Sequence, residues 1–367
     1  MGEAEVADEQ TFLTLHEIVR AAYDRTDRGM WDYITGGTET ETTVRRNRLA
    51  LDRIAFRPRV LRDVSRIDPA GTFFGRGTRL PVALAPVGGL EAIGQQGEIL
   101  VARAASGFGV PFYLSSVTKV GMEEVATAAP DSPKVFQLYV RGDADSIDDH
   151  VRRAKDAGYD AFCLTVDTAI YSRRERDIAR RFVKPWRERA WGQDFQAALS
   201  WADVERIKAK HDVRLILKGI ATAEDAKTAC EHGVEGVYVS NHGGRQLDHG
   251  RGSLDVLPEI VEAVAGRAQV TVDGGICRGT DVVKAIARGA DTVAIGRLYC
   301  YGLAAAGTEG VVRVLELLEN EIVSCLGLLG VTGFAELEAS HLHEAPAVTE
   351  PHVFSAFPLL SLPKETY

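Results

Sequence analysis

Residues 214–244, RLILKGIATAEDAKTACEHGVEGVYVSNHGG, decide the fold. An apolar run, RLILKG, passes into an amphipathic stretch that closes on Gly233, the residue type common just past a helix C-terminus. A second apolar run, GVYVSN, follows at once. The unit reads strand, helix, strand, and both strands are apolar throughout rather than alternating. That pattern belongs to a parallel strand covered on both faces.

The same unit recurs along the chain. Strand-like runs occupy 80–86, 111–116, 134–140, 161–167, 214–219, 236–241, 268–275 and 292–297, with helical patterns between them. Eight such units favour closure into a (β/α)8 TIM barrel of the α/β class over a doubly wound open sheet. The expected organisation is one structural domain. Residues 1–79 form a helical extension, with helices over Phe12–Tyr23 and near Met30–Ile34 followed by connecting chain. Residues 80–335 form the barrel, and 336–367 a Pro-containing tail that either wraps a neighbour or moves freely. A long segment after the fourth strand, 168–198, reads as a lid-like insertion.

Composition narrows the function classes. Of 367 residues 45% are hydrophobic and 26% charged, and the net charge of −9 argues against nucleic acid or an anionic membrane as partner. Five cysteines without CxxC spacing fit a reducing cytoplasm and no metal site. The acidic N-terminus lacks an apolar core for a secretory signal, and no apolar run reaches membrane-spanning length.

In a barrel of this kind the C-terminal strand ends face the active site. Those positions hold Ser115, Gln137, Tyr139, Thr165, Asp167, Lys218, Ser240, His242, Asp273 and Arg297. A packing scaffold requires none of them. Gly274 and Gly275 in DGG and Gly296 in IGR leave backbone bare beside helix starts, which suits a phosphate. Gln137, Thr165 and Lys218 suit a flat heterocycle. His242 is the general-base candidate, with Asp167 to fix its tautomer, and Arg245 and Arg174 suit a bidentate grip on a carboxylate.

The motifs SNHGGRQLD, LTVDT with RRE at 173–175, FQLYV, LKGI with TAEDA, DGG with RGTD, and IGR resemble those of the FMN-dependent 2-hydroxy-acid oxidases and dehydrogenases. That family includes glycolate oxidase, lactate oxidase and mandelate dehydrogenase, and the resemblance runs from about Tyr33 to Gly330. It implies an FMN enzyme in which His242 is the base and Asp167 its partner. Arg174, Arg245 and Tyr33 would hold the substrate carboxylate, and Tyr139 would touch the reacting hydroxyl. FMN would lie against Pro86, Val87 and Gly88 and be held by Ser115, Gln137, Thr165, Lys218 and Ser240. Its phosphate would lie near Asp273, Gly274, Gly275, Gly296 and Arg297. The substrate Cα hydrogen would pass to the flavin, and both hydride and carbanion routes are described in the family. The resemblance also implies a homotetramer.

Three departures bear on this expectation. Cys277 stands where the family commonly has arginine, with Arg278 and Arg297 available to compensate. Gly88, Gly89 and Val117 replace bulkier residues and suggest a roomy pocket for an aromatic or bulky 2-hydroxy acid. Trp186, Trp191 and Phe195 in the insertion offer aromatic surface to cover such a group. The 79 residues before the barrel are too few for the haem domain of the flavocytochrome branch. A soluble oxidase using oxygen is therefore the first reading and a dehydrogenase with another electron acceptor the second. Oxidation of a peptide- or carrier-bound acid is an alternative within the same chemistry. A different FMN barrel class, the type 2 isopentenyl diphosphate isomerases, lacks the need for the arginine pair and His242.

Overall fold

A computed structural model describes residues 12–184 and 192–363; Trp186 and Trp191 lie outside them. Three helices open the chain, α1 (Leu15–Arg25), α2 (Arg28–Thr35) and α3 (Thr42–Asp52), followed by β1 (Ile54–Phe56) and a hairpin of β2 (Gly71–Phe73) and β3 (Arg76–Thr78). The barrel strands are β4 (Val82–Leu84), β5 (Phe112–Ser115), β6 (Lys134–Leu138), β7 (Ala161–Thr165), β8 (Leu215–Ile220), β9 (Gly236–Val239), β10 (Gln269–Val272) and β11 (Thr292–Ile295). They close in the order β10-β11-β4-β5-β6-β7-β8-β9, every neighbour parallel. Each of the eight apolar runs is a barrel strand.

Strand periodicity sorts the side chains. One phase faces the helices and builds the main core. The other phase faces the barrel lumen, where Ala83, Ala85, Tyr113, Val135, Ala161, Cys163, Ile216, Tyr238 and Ala294 pack together. Phe73 of the β2–β3 hairpin joins them, its ring 6.1 Å from Tyr113, and Tyr113 meets Tyr238 edge-on at 5.5 Å. The hairpin caps the N-terminal end of the barrel, where Phe74 N–H donates to Gln269 Oε1 at 2.6 Å.

Two features differ from the sequence expectation. Residues 42–52, expected as connecting chain, form α3. Its N-cap, Glu41, sits at φ 57° and supplies no side-chain cap. The acceptor comes instead from Asp248, whose Oδ1 takes Thr43 N–H at 2.8 Å and whose Oδ2 takes Thr40 N–H at 3.0 Å. A cap borrowed from more than 200 residues away leaves no local signature. The tail, meanwhile, folds back on its own chain. β12 (Leu342–Glu344) pairs antiparallel with β1, Phe357 is buried, and Phe354 stacks on Trp31 at 5.7 Å.

The insertion carries α7 (Glu175–Ala179) and α8 (Gln193–Ala197) over the C-terminal end of the barrel. After β11 the chain enters a 33-residue helical stretch, Arg297–Leu329, broken at Ala306 and Gly307 into two helices. Among the described residues no helix is long and apolar enough to cross a membrane.

Candidate active site

The lumen phase continues upward into the site. Two residues beyond Tyr113 lies Ser115, beyond Val135 lies Gln137, beyond Cys163 lies Thr165, beyond Ile216 lies Lys218, and beyond Tyr238 lies Ser240. Strand register sets Ser115 beside Gln137 and Thr165 beside Lys218, so these polar groups form an arc across adjacent strands. Both amide atoms of Gln137 and Oγ1 of Thr165 are buried without a hydrogen-bond partner among the described residues. Buried polar atoms in that condition cost free energy unless a ligand supplies the partner. Lys218 Nζ donates to Ser240 Oγ at 3.1 Å and lies 3.7 Å from Asp273 Oδ2, and Ser240 Oγ donates to Asp273 Oδ1 at 2.7 Å.

A cavity of about 800 Å³ opens above this arc. Pro86, Val87 and Gly88 line one side, and Asp273, Gly274, Gly275, Gly296 and Arg297 line one end. Gly274 and Gly275 have φ of 107° and 81°, and a Cβ on Gly274 would fall 2.6 Å from Ser253 Oγ. Only glycine fits that loop. The polar arc, the bare backbone and the first turn of the helix at Arg297 fit a flavin ring joined to a phosphate.

His242 lies on the same rim, its backbone N–H donating to Ser240 Oγ at 3.0 Å. It has φ 59°, followed by Gly243 at 63° and Gly244 at 76°, a left-handed run that turns the imidazole back over the lumen. Nδ1 lies 3.1 Å from Asp167 Oδ1 and Nε2 lies 3.0 Å from the Tyr139 hydroxyl. Burial pushes the His242 pKa below its ordinary 6.5, with Asp167 opposing. The imidazole is therefore neutral at neutral pH, the state a base requires. Burial raises the Asp167 pKa, but His242 and Lys218 outweigh it, so the net shift is downward and the carboxylate stays charged. Gly219, at φ 114°, makes room for this pair, since a Cβ there would sit 2.6 Å from Asp167 Cβ.

Arg245 and Arg174 flank the Tyr33 ring at 4.7 and 5.9 Å from its centroid. Burial, reinforced by repulsion from Arg174, lowers the Arg245 pKa to about 10, which still leaves Arg245 charged at neutral pH. Arg174 Nε is buried without a hydrogen-bond partner among the described residues. An anion between them relieves both conditions. The C-terminal end of α2 contributes too: Gly36 O accepts from Arg245 Nη1 at 2.7 Å and from Arg297 Nη2 at 2.8 Å.

Several expectations need correction. Arg278 does not reach the cavity; it pairs with Glu321 and donates to Ala356 O at 3.3 Å, on the outer side of the barrel. Gly88 does not add empty space, because a Cβ there would lie 2.8 Å from Val117 Cβ, which already fills that volume. Gly89, at φ 76°, is a turn residue. Phe195 is 44% exposed and does not line the cavity. The insertion instead contributes Tyr171, Ile178, Phe182, Val183 and Lys184. Lys184 Nζ lies 2.6 Å from the Tyr171 hydroxyl and 2.9 Å from Asp177 Oδ2. Nothing in the sequence singled out Tyr171 or Lys184, whose place depends on how the insertion folds back.

Fold and site together define a flavin-dependent barrel oxidoreductase acting on 2-hydroxy acids. The family model described as FMN-dependent dehydrogenase matches residues 22–344, and the chain belongs to that family. It is an FMN-dependent enzyme of the 2-hydroxy-acid oxidase group. A peroxisomal (S)-2-hydroxy-acid oxidase of Oryza sativa subsp. japonica is 41% identical over 332 residues, 85% of this chain and 90% of that protein. A 4-hydroxymandelate oxidase of Amycolatopsis orientalis is 40% identical over 342 residues, 87% of this chain and 95% of the relative. Among solved structures, mandelate oxidase with (S)-2-phenylpropionate superposes with a TM-score of 0.85 at 40% identity, covering 92% of this chain and all of that one.

Proposed function

We propose that this protein oxidises an (S)-2-hydroxy acid with a bulky or aromatic side chain to the 2-oxo acid, with oxygen reoxidising the flavin. The observation that carries the side-chain preference is the apolar wall of the cavity, Val117, Val140, Ile178 and Val183, set in the same chamber as Arg174 and Arg245. A two-carbon acid leaves that wall without contact. The relative named 4-hydroxymandelate oxidase and the mandelate oxidase structures support the same choice.

In this reading Arg245, Arg174 and Tyr33 bind the carboxylate and fix the acid's orientation. The Tyr139 hydroxyl meets the substrate hydroxyl, whose proton His242 takes at Nε2 while Asp167 stabilises the imidazolium. Bound FMN supplies the acceptor for the Cα hydrogen and the two electrons of the oxidation. Gln137, Thr165, Ser115 and Lys218 hold its ring system, with Ser240 orienting Lys218. Gly274, Gly275, Gly296 and Arg297 hold its phosphate, and Pro86 to Gly88 lie along its face. Lys218 would supply positive charge to the ring system it holds.

The test is anaerobic mixing of the FMN-loaded protein with glycolate, lactate, mandelate, 4-hydroxymandelate and longer 2-hydroxy acids, following the visible flavin absorbance. Mandelate-type acids should bleach it fastest. Glycolate bleaching faster than every aryl acid removes the side-chain preference, and no bleaching by any acid removes the whole reading. Admitting air and then, separately, a dye distinguishes oxidase from dehydrogenase.

A further inference from the structure

Two segments that line the cavity, the catalytic turn and the glycine loop, are braced by neighbouring residues of α3, the helix that the sequence pattern hid. Asn47 faces the catalytic turn. Its Nδ2 donates to Asn241 Oδ1 at 2.9 Å, and Asn241 Nδ2 donates back to Asn47 Oδ1 at 2.7 Å. Asn241 Oδ1 also accepts Gly244 N–H at 3.0 Å, and Asn47 Oδ1 accepts Ser253 N–H at 3.0 Å. This amide pair therefore spans the left-handed run at His242, Gly243 and Gly244. A histidine at positive φ is costly and persists only where its surroundings over-determine it.

Arg48, the next residue, faces the glycine loop. Nη1 donates to Gly275 O at 2.6 Å and to Asp281 Oδ2 at 2.8 Å, while Nη2 donates to Asp52 Oδ1 at 2.5 Å. Asp281 Oδ2 in turn accepts the N–H groups of Cys277 at 2.9 Å and Arg278 at 3.1 Å. One buried guanidinium thus fixes both sides of the loop from Gly274 to Cys277. Asn47 and Arg48 are 2% and 3% exposed, and both line the cavity from the side of α3.

We propose that Asn47 and Arg48 are positioning residues that act on different halves of the reaction site. Asn47, through Asn241, sets the His242 turn, and Arg48 shapes the loop that receives the FMN phosphate. Asn47 also packs against Gly274 and Gly275, where a Cβ would lie 3.2 Å from it, so what tells the two positions apart is the hydrogen-bonded pair that Asn47 makes with Asn241. Asn47→Ala lowers kcat of the FMN-loaded enzyme about tenfold, the worth of roughly one buried hydrogen bond. It also shifts the acid limb of kcat/KM, because His242 is no longer held against Asp167. Arg48→Lys keeps the charge and loses the fork. It weakens FMN binding to the apoprotein about tenfold, read by quenching of FMN fluorescence, while kcat at saturating FMN stays within about twofold.

The double variant Asn47→Ala/Asn241→Ala should be no slower than Asn241→Ala alone, since that single change already removes the amide pair. A wild-type kcat and pH profile in loaded Asn47→Ala overturns the first half of the proposal. Unchanged FMN affinity in Arg48→Lys overturns the second. Should Asn47→Ala give no folded protein, Asn47→Asp keeps the acceptor for Ser253 and Asn241. It should still shift the pH profile, with a kcat loss of about threefold, and an unshifted profile there counts against the brace.

Discussion

The two ends of the barrel lumen are built from the same strands, in the same phase, to opposite purposes. At the N-terminal end Phe73, Tyr113 and Tyr238 seal the lumen with rings packed edge to face. Two residues further along, Ser115 and Ser240 begin the polar arc. Ile216 and Lys218 make the same change within one strand. Depth along the strand, not strand identity, decides between packing and chemistry. The apolar end supplies rigidity, and the open end keeps buried polar atoms without protein partners. Substitutions at the two ends should separate cleanly into catalytic and stability effects.

His242→Ala should give the largest effect, a loss of about 10⁴-fold in the rate of flavin reduction by substrate with FMN retained. Stopped-flow bleaching measures it. Because burial places the His242 pKa below 6.5, the wild-type kcat/KM should fall only as pH drops below that value, as the base becomes protonated. Phe73→Ala at the sealed end should do the reverse. It costs about 3–5 kcal/mol of stability by denaturant unfolding, with kcat within about twofold at a permissive temperature. A large kcat loss there would erase the distinction between the ends.

Arg245→Met should raise KM about a hundredfold by removing charge-assisted hydrogen bonds to the carboxylate. An unchanged KM removes the arginine pair from the site. The smallest effect belongs to Glu98, beside Glu91 below the Pro86–Gly88 loop. The two carboxyl groups are buried against each other, with the Thr118 hydroxyl beside Glu98. Burial, with Glu91 adding to it, raises the Glu98 pKa from 4.5 to about 8. A raised folded-state pKa gives stability that is full below about 4.5 and lost as pH rises through about 8. Glu98→Gln should therefore raise Tm by about 2–4 °C at pH 8.5 and leave it nearly unchanged at pH 4, measured by thermal unfolding.

The legible parts of the site share one trait, a local cause. His242, Arg245, Lys218 and Asp273 lie directly on or just beyond strand ends, so the strand pattern alone brings them to one rim. Arg278 misled for the same reason. It adjoins the glycine loop in sequence, but the chain enters a helix there and its side chain swings out to Glu321. Lys184 and Tyr171 left no signal because nothing local says which side of a long insertion faces inward. α3 left none because its cap, Asp248, is contributed by the loop beyond the catalytic turn.

The sequence by itself determined the barrel, its strand count and the chemistry at its rim, because continuous apolar runs, the helical patterns between them and glycine placement are local properties of the chain. The tertiary structure alone decided which helix braces the rim, which residues of the insertion line the cavity, and that the tail closes on β1. Those outcomes rest on hydrogen bonds and packing between segments hundreds of residues apart, where no periodicity connects the partners.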